Sequence, residues 1–325
     1  MTNLEARPAA QVCGVPGRRG PRVDVFEARE VPLGGIRAMR VRRTLPQRGL
    51  PLVGSWCFLD EFGPQEVEMR VLPHPHVGLQ TVTWPLRGEI RHRDSVGSDV
   101  VVRPGQLNLM TAGRGVAHSE FSVAAGGAEA AVGMVHAVQL WVVLPDGAAD
   151  GPAGFEQVVD LPVWTGDGLR AVVMVGELGG ARSPATVHTP LLGADVAVSA
   201  GAGRTMPLRE DFEHALVVLE GAVVVDGTRV EPGPIVDLGD GRDRVRLSCD
   251  EDARVLLLGG APFAHDVVMW WNFVGRDHDA VAQARADWES ADRATRFGAV
   301  AGHDERIPAP ELPNLRLRPR HRGTG

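Results

Sequence analysis

The fold is set by residues 81–107, which read TVTWPLRGEIRHRDSVGSDVVVRPGQL. An apolar run is followed by a short turn at Arg87-Gly88, a second run of strand character and a Pro-Gly turn at 104–105. Short runs rich in Val, Thr and Leu between Gly, Pro and Asp are typical of β-strands. Such breaks recur roughly every 8–12 residues, which indicates an all-β sandwich or barrel.

The order of strand, glycine turn, strand and Pro-Gly turn occurs again at residues 215–235, which read ALVVLEGAVVVDGTRVEPGPI. We interpret this repetition as an internal duplication of one β-barrel unit. It predicts an N-terminal barrel over residues 23–165 and a C-terminal barrel over 166–297. Residues 1–22 are predicted to be a flexible tail and residues 298–325 an irregular tail.

One helix is predicted near the C-terminus, between residues 277 and 297. Asp277 is a residue type that caps helix N-termini. The apolar residues that follow it, Ala280, Val281, Ala284 and Trp288, stand at helical spacing.

The overall composition excludes several classes of function. The chain has 325 residues, is 44% hydrophobic and carries a net charge of −7. This charge gives no general attraction to nucleic acid or to anionic membranes, so neither is an expected partner. The sequence contains no Lys and no Tyr, which rules out Schiff-base lysine and tyrosyl chemistry.

Location is predicted from what the sequence lacks. The cysteines, Cys13, Cys57 and Cys249, form no CxxC pair, so neither a disulfide framework nor a zinc ribbon is expected. No secretory signal is recognisable in the first residues, and no run of about 18 apolar residues is present. We therefore expect a cytoplasmic protein.

Two short motifs carry the chemistry. They are His74-Pro75-His76 and His118-Ser119-Glu120. Residues two apart in a strand point to the same face, so each motif aims two ligand side chains in one direction. The sequence therefore predicts a metal site made by His74, His76, His118 and Glu120.

This set of ligands suits a catalytic ion better than a structural one. Imidazole binds Fe, Ni, Cu and Zn well, and a carboxylate adds a hard, negatively charged oxygen. Four ligands on an octahedral ion leave about two positions for water, substrate or O₂. The alternative is that these are polar strand residues without a metal. His92 is interpreted as a surface strand residue, with a position lining the mouth of the cavity as the alternative. His136 is interpreted as a packed residue.

These motifs lie within a longer resemblance to the pirin family of two-cupin proteins. It is most specific at Met110–Glu120, which reads MTAGRGVAHSE, and covers roughly residues 23–297. The other matching stretches are Asp60–Pro64, His74–Thr83, His92–Ser98, Arg103–Gly105, Gln139–Val142 and Trp271–Arg276. The resemblance implies an all-β chain of two cupin (jelly-roll) barrels in tandem, with a short C-terminal helix and the metal in the N-terminal barrel.

The resemblance also implies the ligands and the activity. The family's ligands fall on His74, His76, His118 and Glu120, with Fe(II) favoured and Mn, Ni, Cu or Zn as alternatives. We expect a dioxygenase that opens quercetin-like flavonols, or a related enol, with O₂. Glu120 is expected to act also as the catalytic proton acceptor, and the protein is expected to be a monomer. The alternative is a non-catalytic, redox-sensing regulator that binds a transcription factor or a metabolic enzyme.

The chain departs from the family pattern beside the first motif. Many pirins carry Arg and Glu at the positions of Val77 and Gln80. All four ligands are retained, so the metal prediction is unchanged. The resemblance does not extend to a partner contact or a tuning effect that depends on those two charges. A neutral Gln80 near the ion would leave the site more positive.

Overall fold

The computed structural model describes residues 19–33, 39–124, 127–129 and 131–318. Most of the predicted tail at 1–22 and the end of the tail predicted at 298–325 lie outside these residues.

The described residues fold mainly into β-strands. In the first half these are β1 (Pro21–Phe26), β2 (Arg29–Leu33), β3 (Met39–Leu45), β4 (Trp56–Val67), β5 (Arg70–His76), β6 (Leu79–Arg87), β7 (Glu89–Asp94), β8 (Asp99–Val102), β9 (Leu107–Thr111), β10 (Val116–Val123), β11 (Gly133–Val143) and β12 (Gly154–Val158). A short helix, α1 (Asp146–Ala149), precedes β12.

The second half continues the pattern and ends in helices. Its strands are β13 (Val163–Gly166), β14 (Leu169–Val175), β15 (Glu177–Leu178), β16 (Ala181–Arg182), β17 (Leu191–Val198), β18 (Gly201–Pro207), β19 (Glu213–Glu220), β20 (Val223–Val225), β21 (Thr228–Val230), β22 (Ile235–Gly239), β23 (Arg244–Cys249), β24 (Ala253–Gly260), β25 (Val268–Trp270) and β26 (Phe273–Gly275). Helices α2 (His278–Glu289) and α3 (Ala294–Phe297) follow.

The strands form two barrels, each made of a seven-stranded and a four-stranded sheet. In the first barrel the strand orders are β12-β9-β6-β11-β4-β3-β2 and β5-β10-β7-β8. In the second they are β1-β22-β19-β24-β17-β14-β13 and β18-β23-β20-β21. The two halves repeat one architecture, and the predicted all-β class of two tandem cupins is confirmed.

The two ends of the chain are exchanged between the barrels. Strand β1 pairs with β22 and so takes the place in the second sheet that β12 takes in the first. The region after β24 returns to the first barrel, where Val77 bridges Phe273. The linear division at residues 23 and 166 therefore does not describe β1 or the C-terminal region.

The predicted helix is present but shorter than expected. It begins after Asp277, whose carboxylate accepts a hydrogen bond from the Ala280 amide at 2.8 Å, and it buries Val281, Ala284 and Trp288. It ends at Glu289 because Ser290 is extended and its hydroxyl bonds back to the Asp287 carbonyl at 3.0 Å. A separate helical turn, α3, occupies the rest of the predicted range.

The two seven-stranded sheets share one apolar core. It joins alternate residues of β6 and β11, such as Val82 and Leu140, to residues of β19 and β24, such as Val217 and Leu256. The opposite faces of these strands line the barrel interiors. The interior of the second barrel is an apolar cluster that includes Leu216, Val218, Val236 and Leu247.

No helix among the described residues is long and apolar enough to cross a bilayer.

One histidine is buried at the edge of this apolar interior. His214 lies on β19, two residues before Leu216, and neither of its ring nitrogens has a hydrogen-bond partner among the described residues. Burial lowers the pKa of His214 to about 4, with a further contribution from Arg242 and an opposing one from Asp211. A neutral imidazole is therefore built into the folded state.

This histidine should make stability sensitive to acid. In the unfolded state a histidine has a pKa of about 6.5. Between about pH 6.5 and 4, His214 is therefore protonated in the unfolded state and neutral in the folded state. Stability is then lost as the pH falls through this window. We expect His214→Phe in the metal-free protein to reduce the pH slope of the unfolding free energy by about 1.4 kcal/mol per pH unit.

Urea unfolding across this pH range would measure the effect, with His265→Phe at an exposed position as the matched control. An unchanged slope in His214→Phe would contradict the assignment.

Candidate metal centre

The strand register brings the predicted ligands to one face. Strands β5 and β10 are antiparallel with His74 opposite His118, and β10 and β7 are antiparallel with Glu120 opposite His92. Residues directly opposite each other in a sheet project on the same side. The i, i+2 spacing then places His76 beside His74 on that side.

Three of the predicted ligands form a compact group. Ring nitrogens of His74, His76 and His118 all lie within 4.8 Å of one another. The Nε2 atoms of His76 and His118 are 3.1 Å apart. Two nitrogens bound at right angles on one ion, with bonds of about 2.1 Å, would be separated by about 3 Å. The spacing of this pair therefore fits a shared metal ion.

The carboxylate stands next to this group. Glu120 forms a second, overlapping group of potential ligands with His118 and His92. The Thr83 hydroxyl donates to Glu120 Oε1 at 3.4 Å. The structure thus brings His74, His76 and His118 together, and it places Glu120 beside them through its contact group with His118.

The environment keeps the three imidazoles neutral. Burial lowers the pKa of His74 to about 4 against the opposing effect of Glu120, and burial also takes the pKa values of His76 and His118 well below 6.5. The Nδ1 of His74 lies 2.9 Å from the Leu72 carbonyl, to which it can only donate. The Nε2 of His74 is buried with no hydrogen-bond partner among the described residues, so its lone pair is available to a metal.

Packing restrains the ligand rings and their strands. The edge of the His76 ring meets Trp141, whose own ring stacks on Phe58 at a centroid distance of 3.9 Å. On the outer side of β10, Ser119 hydrogen-bonds His303 at 3.0 Å. The Ile307 amide donates to the Pro73 carbonyl on β5 at 2.8 Å. The C-terminal region therefore holds both ligand strands from outside.

The interpretation of His92 as a surface residue is wrong. Its side chain is buried, its Nδ1 lies 3.4 Å from Nδ1 of His118, and its ring stacks on Phe155 at 4.6 Å. Asp94 is also buried, and its Oδ2 lies 3.0 Å from Nε2 of His92. The signal was present, because His92 and Asp94 have the same two-residue spacing as the ligand motifs. His136 is packed as expected, 3.1 Å from Glu61.

Val77 and Gln80, the two departures from the family pattern, both point away from the proposed ligands. The Gln80 amide donates to the Thr111 hydroxyl at 2.9 Å and to the Thr186 carbonyl at 3.0 Å, which directs it toward the second half of the chain. Val77 packs in the apolar cluster of the C-terminal region, together with Trp271 and Phe273. The conditional expectation of a more positive site does not apply.

The comparisons with known proteins agree over most of the chain. A family model described as Pirin matches residues 37–142, and one described as the pirin C-terminal cupin domain matches residues 193–297. A Pseudomonas aeruginosa protein, provisionally named a quercetin 2,3-dioxygenase, is 41% identical over 96% of this chain and 98% of its own length.

Two further relatives match over nearly their full lengths. A solved structure of a quercetin 2,3-dioxygenase from Acinetobacter baumannii is 37% identical, with a TM-score of 0.85, and covers 92% of this chain and 98% of its own. A pirin-like protein of Caulobacter vibrioides is 36% identical over 88% of this chain and 99% of its own length.

The centre predicts a measurable response to metal. Adding Mn²⁺ or Fe²⁺ to metal-free protein should raise Tm, because a ligand that binds only the folded state stabilises it by about 3 kcal/mol at a hundredfold excess over Kd. His74→Ala removes the available Nε2 and should lose most of this increase, whereas His265→Ala should keep it. Thermal scans with and without metal test this, and equal shifts in all three proteins would contradict it.

Proposed function

Because the chain belongs to the pirin family of two-cupin proteins, we propose that it is a metal-dependent dioxygenase that opens quercetin-like flavonols, or a related enol, with O₂. The observation that carries the proposal is the buried group of three neutral imidazoles beside a carboxylate. His74, His76, His118 and Glu120 are the proposed ligands. Fe(II) is the favoured ion.

The proposed ligands would leave part of the ion's coordination shell to the reactants. A bound divalent ion would supply Lewis-acid and template chemistry for the substrate enolate and O₂. The imidazoles are neutral in the folded protein, so no proton has to leave them before the ion binds. The buried setting strengthens the attraction between the negative carboxylate and the positive ion.

Glu120 is the proposed proton acceptor as well as a ligand. The Gln139 amide donates to the Thr83 hydroxyl at 3.4 Å, and that hydroxyl donates to Glu120 Oε1 at 3.4 Å. Because the Thr83 hydroxyl donates to it, the Glu120 carboxylate accepts at this contact and can be ionised there. An ionised carboxylate is the form that can take up a proton. A flavonol hydroxyl within hydrogen-bond reach of Glu120 would transfer its proton there as the enolate forms.

Gln139 offers a contact for the substrate. Its side chain is fully buried, and its carbonyl oxygen has no hydrogen-bond partner among the described residues. Buried polar atoms without partners are costly, so a site that holds one is suited to a ligand that donates a hydrogen bond. A second hydroxyl of a flavonol is such a donor. We propose Gln139 as the residue that orients the substrate ring.

The names of the relatives support the dioxygenase and also keep one alternative in view. The Pseudomonas aeruginosa relative and the Acinetobacter baumannii structure described above both bear a quercetin 2,3-dioxygenase name, which is provisional for the first. Human pirin, 28% identical over 78% of this chain, bears only the family's name. The alternative is a non-catalytic, metal-dependent, redox-sensing regulator that binds a transcription factor or a metabolic enzyme.

Oxygen consumption decides between these two functions. We expect iron- or manganese-loaded protein to take up O₂ with quercetin in proportion to flavonol loss, and His118→Ala to lose this uptake. His265→Ala, an exposed position, should retain it. No uptake by wild-type protein at confirmed full metal occupancy would contradict the dioxygenase and favour the regulatory binding protein.

The role of Glu120 as a base can be tested separately. Glu120→Gln keeps the side-chain volume but removes the basic oxygen, so we expect kcat to fall by about 10²- to 10⁴-fold. Rates should be normalised to metal content, because Glu120 is also a proposed ligand. Glu177→Gln, an exposed carboxylate of the second barrel, is the matched control. A normalised kcat equal to that of wild type would exclude Glu120 as the base.

A further inference from the structure

His118 contacts a different histidine at each of its ring nitrogens. Its Nε2 lies 3.1 Å from Nε2 of His76, on the side of the proposed ion, and its Nδ1 lies 3.4 Å from Nδ1 of His92. All three rings are buried. The two nitrogens of His118 therefore face different environments, and the proton that a neutral imidazole carries can sit on only one of them.

The contact with His92 continues to a fixed carboxylate. The Nε2 of His92 lies 3.0 Å from Asp94 Oδ2. The other oxygen of Asp94 accepts hydrogen bonds from the main-chain amides of Val96 at 3.0 Å and Ser98 at 2.9 Å. Both oxygens are thus held by donors, and Asp94 can turn neither of them away without breaking these bonds.

The hydrogen-bonded series from Asp94 through His92 to His118 allows one arrangement of its protons. An ionised carboxylate only accepts, so the Nε2 of His92 carries that ring's proton. The Nδ1 of His92 then has a lone pair, and the Nδ1 of His118 must donate to it. The remaining nitrogen of His118, Nε2, is left with the lone pair that a metal needs.

We propose that His92 and Asp94 are positioning residues that fix the tautomer and ring orientation of His118, so that its Nε2 faces the divalent ion. This rests on the metal centre of the proposed function and adds two residues to it. Two contacts hold this series of side chains in place. His92 stacks on Phe155, and the strand register sets Asp94 opposite His118. Outer hydrogen bonds of this kind orient metal-bound imidazoles in general.

A direct role of His92 as a ligand fits the geometry less well. His92, His118 and Glu120 also lie within 4.8 Å of one another. An ion held by this group alone would have two imidazoles and one carboxylate as ligands. His74 and His76, which are not members of this group, would be left without an ion. The positioning role keeps three imidazoles on one ion and explains the contact with Asp94.

Asp94→Asn tests the tautomer directly. The main-chain amides of Val96 and Ser98 need an acceptor, so the side-chain oxygen of the Asn should face them. Its NH₂ group should then face His92. The proton order along the chain then reverses, and the Nε2 of His118 becomes protonated. His92→Phe is the second variant, since it keeps a ring on Phe155 but removes both nitrogens. Asp99→Asn, an exposed carboxylate paired with Arg91 on the outer face, is the matched control.

Two readouts are needed, and neither is activity. Ring ¹⁵N NMR of the metal-free proteins should show the His118 proton on Nδ1 in wild type and on Nε2 in Asp94→Asn, with the signal assigned by its loss in His118→Ala. Chelator competition with Co²⁺ as the probe should show affinity about 10- to 100-fold weaker in Asp94→Asn and weaker in His92→Phe. Asp99→Asn should match wild type in both.

Several results would overturn the proposal. Wild-type His118 protonated on Nε2, or Asp94→Asn with unchanged Co²⁺ affinity, would show that the chain does not set the tautomer. Complete loss of Co²⁺ binding in His92→Phe, as in His118→Ala, would make His92 a ligand. Wild type that binds no Co²⁺ would remove the metal centre and this inference together. Wild type with the expected tautomer and affinity but no O₂ uptake would reject the dioxygenase alone.

Discussion

The antiparallel register of β5, β10 and β7 is the constraint on which the rest of the structure depends. It sets His74 opposite His118 and Glu120 opposite His92. Side chains alternate along a strand, so a slip of one residue would turn every one of these groups to the outer face. The spacing within each motif supplies pairs of ligands, but only the register turns two pairs into one centre.

The two barrels differ in what they bury. The register makes the first barrel bury polar side chains, and apolar packing elsewhere stabilises the chain. Both have the same strand order, yet the second fills its interior with apolar side chains while the first buries imidazoles and carboxylates. Buried polar groups are tolerated when they find partners, and a metal ion would be such a partner. The apolar interior of the second barrel and the core shared by the two large sheets give the chain stability that does not depend on the centre.

The exchange of chain ends ties the barrels together. Strand β1 completes the sheet of the second barrel, and the C-terminal region packs on the outer side of the ligand strands of the first. Contacts such as Ser119 with His303 restrain β10 between its two ligands. The inner face of that strand is restrained in turn by the chain from His118 through His92 to Asp94. The ligand strand is thus held from both sides.

The sequence by itself determined the local features, because they depend on neighbours in the chain. Turn residues and short apolar runs predicted an all-β chain with an internal duplication, the two-residue spacing predicted which side chains share a face, and Asp277 marked the start of a helix. The family resemblance supplied the two cupins and the ligand set. Only the tertiary structure decided which strands pair. That pairing buried His92 and Asp94 beside His118, carried β1 into the second barrel and turned Gln80 toward the second half, since strand partners are chosen by contacts between residues far apart in the chain.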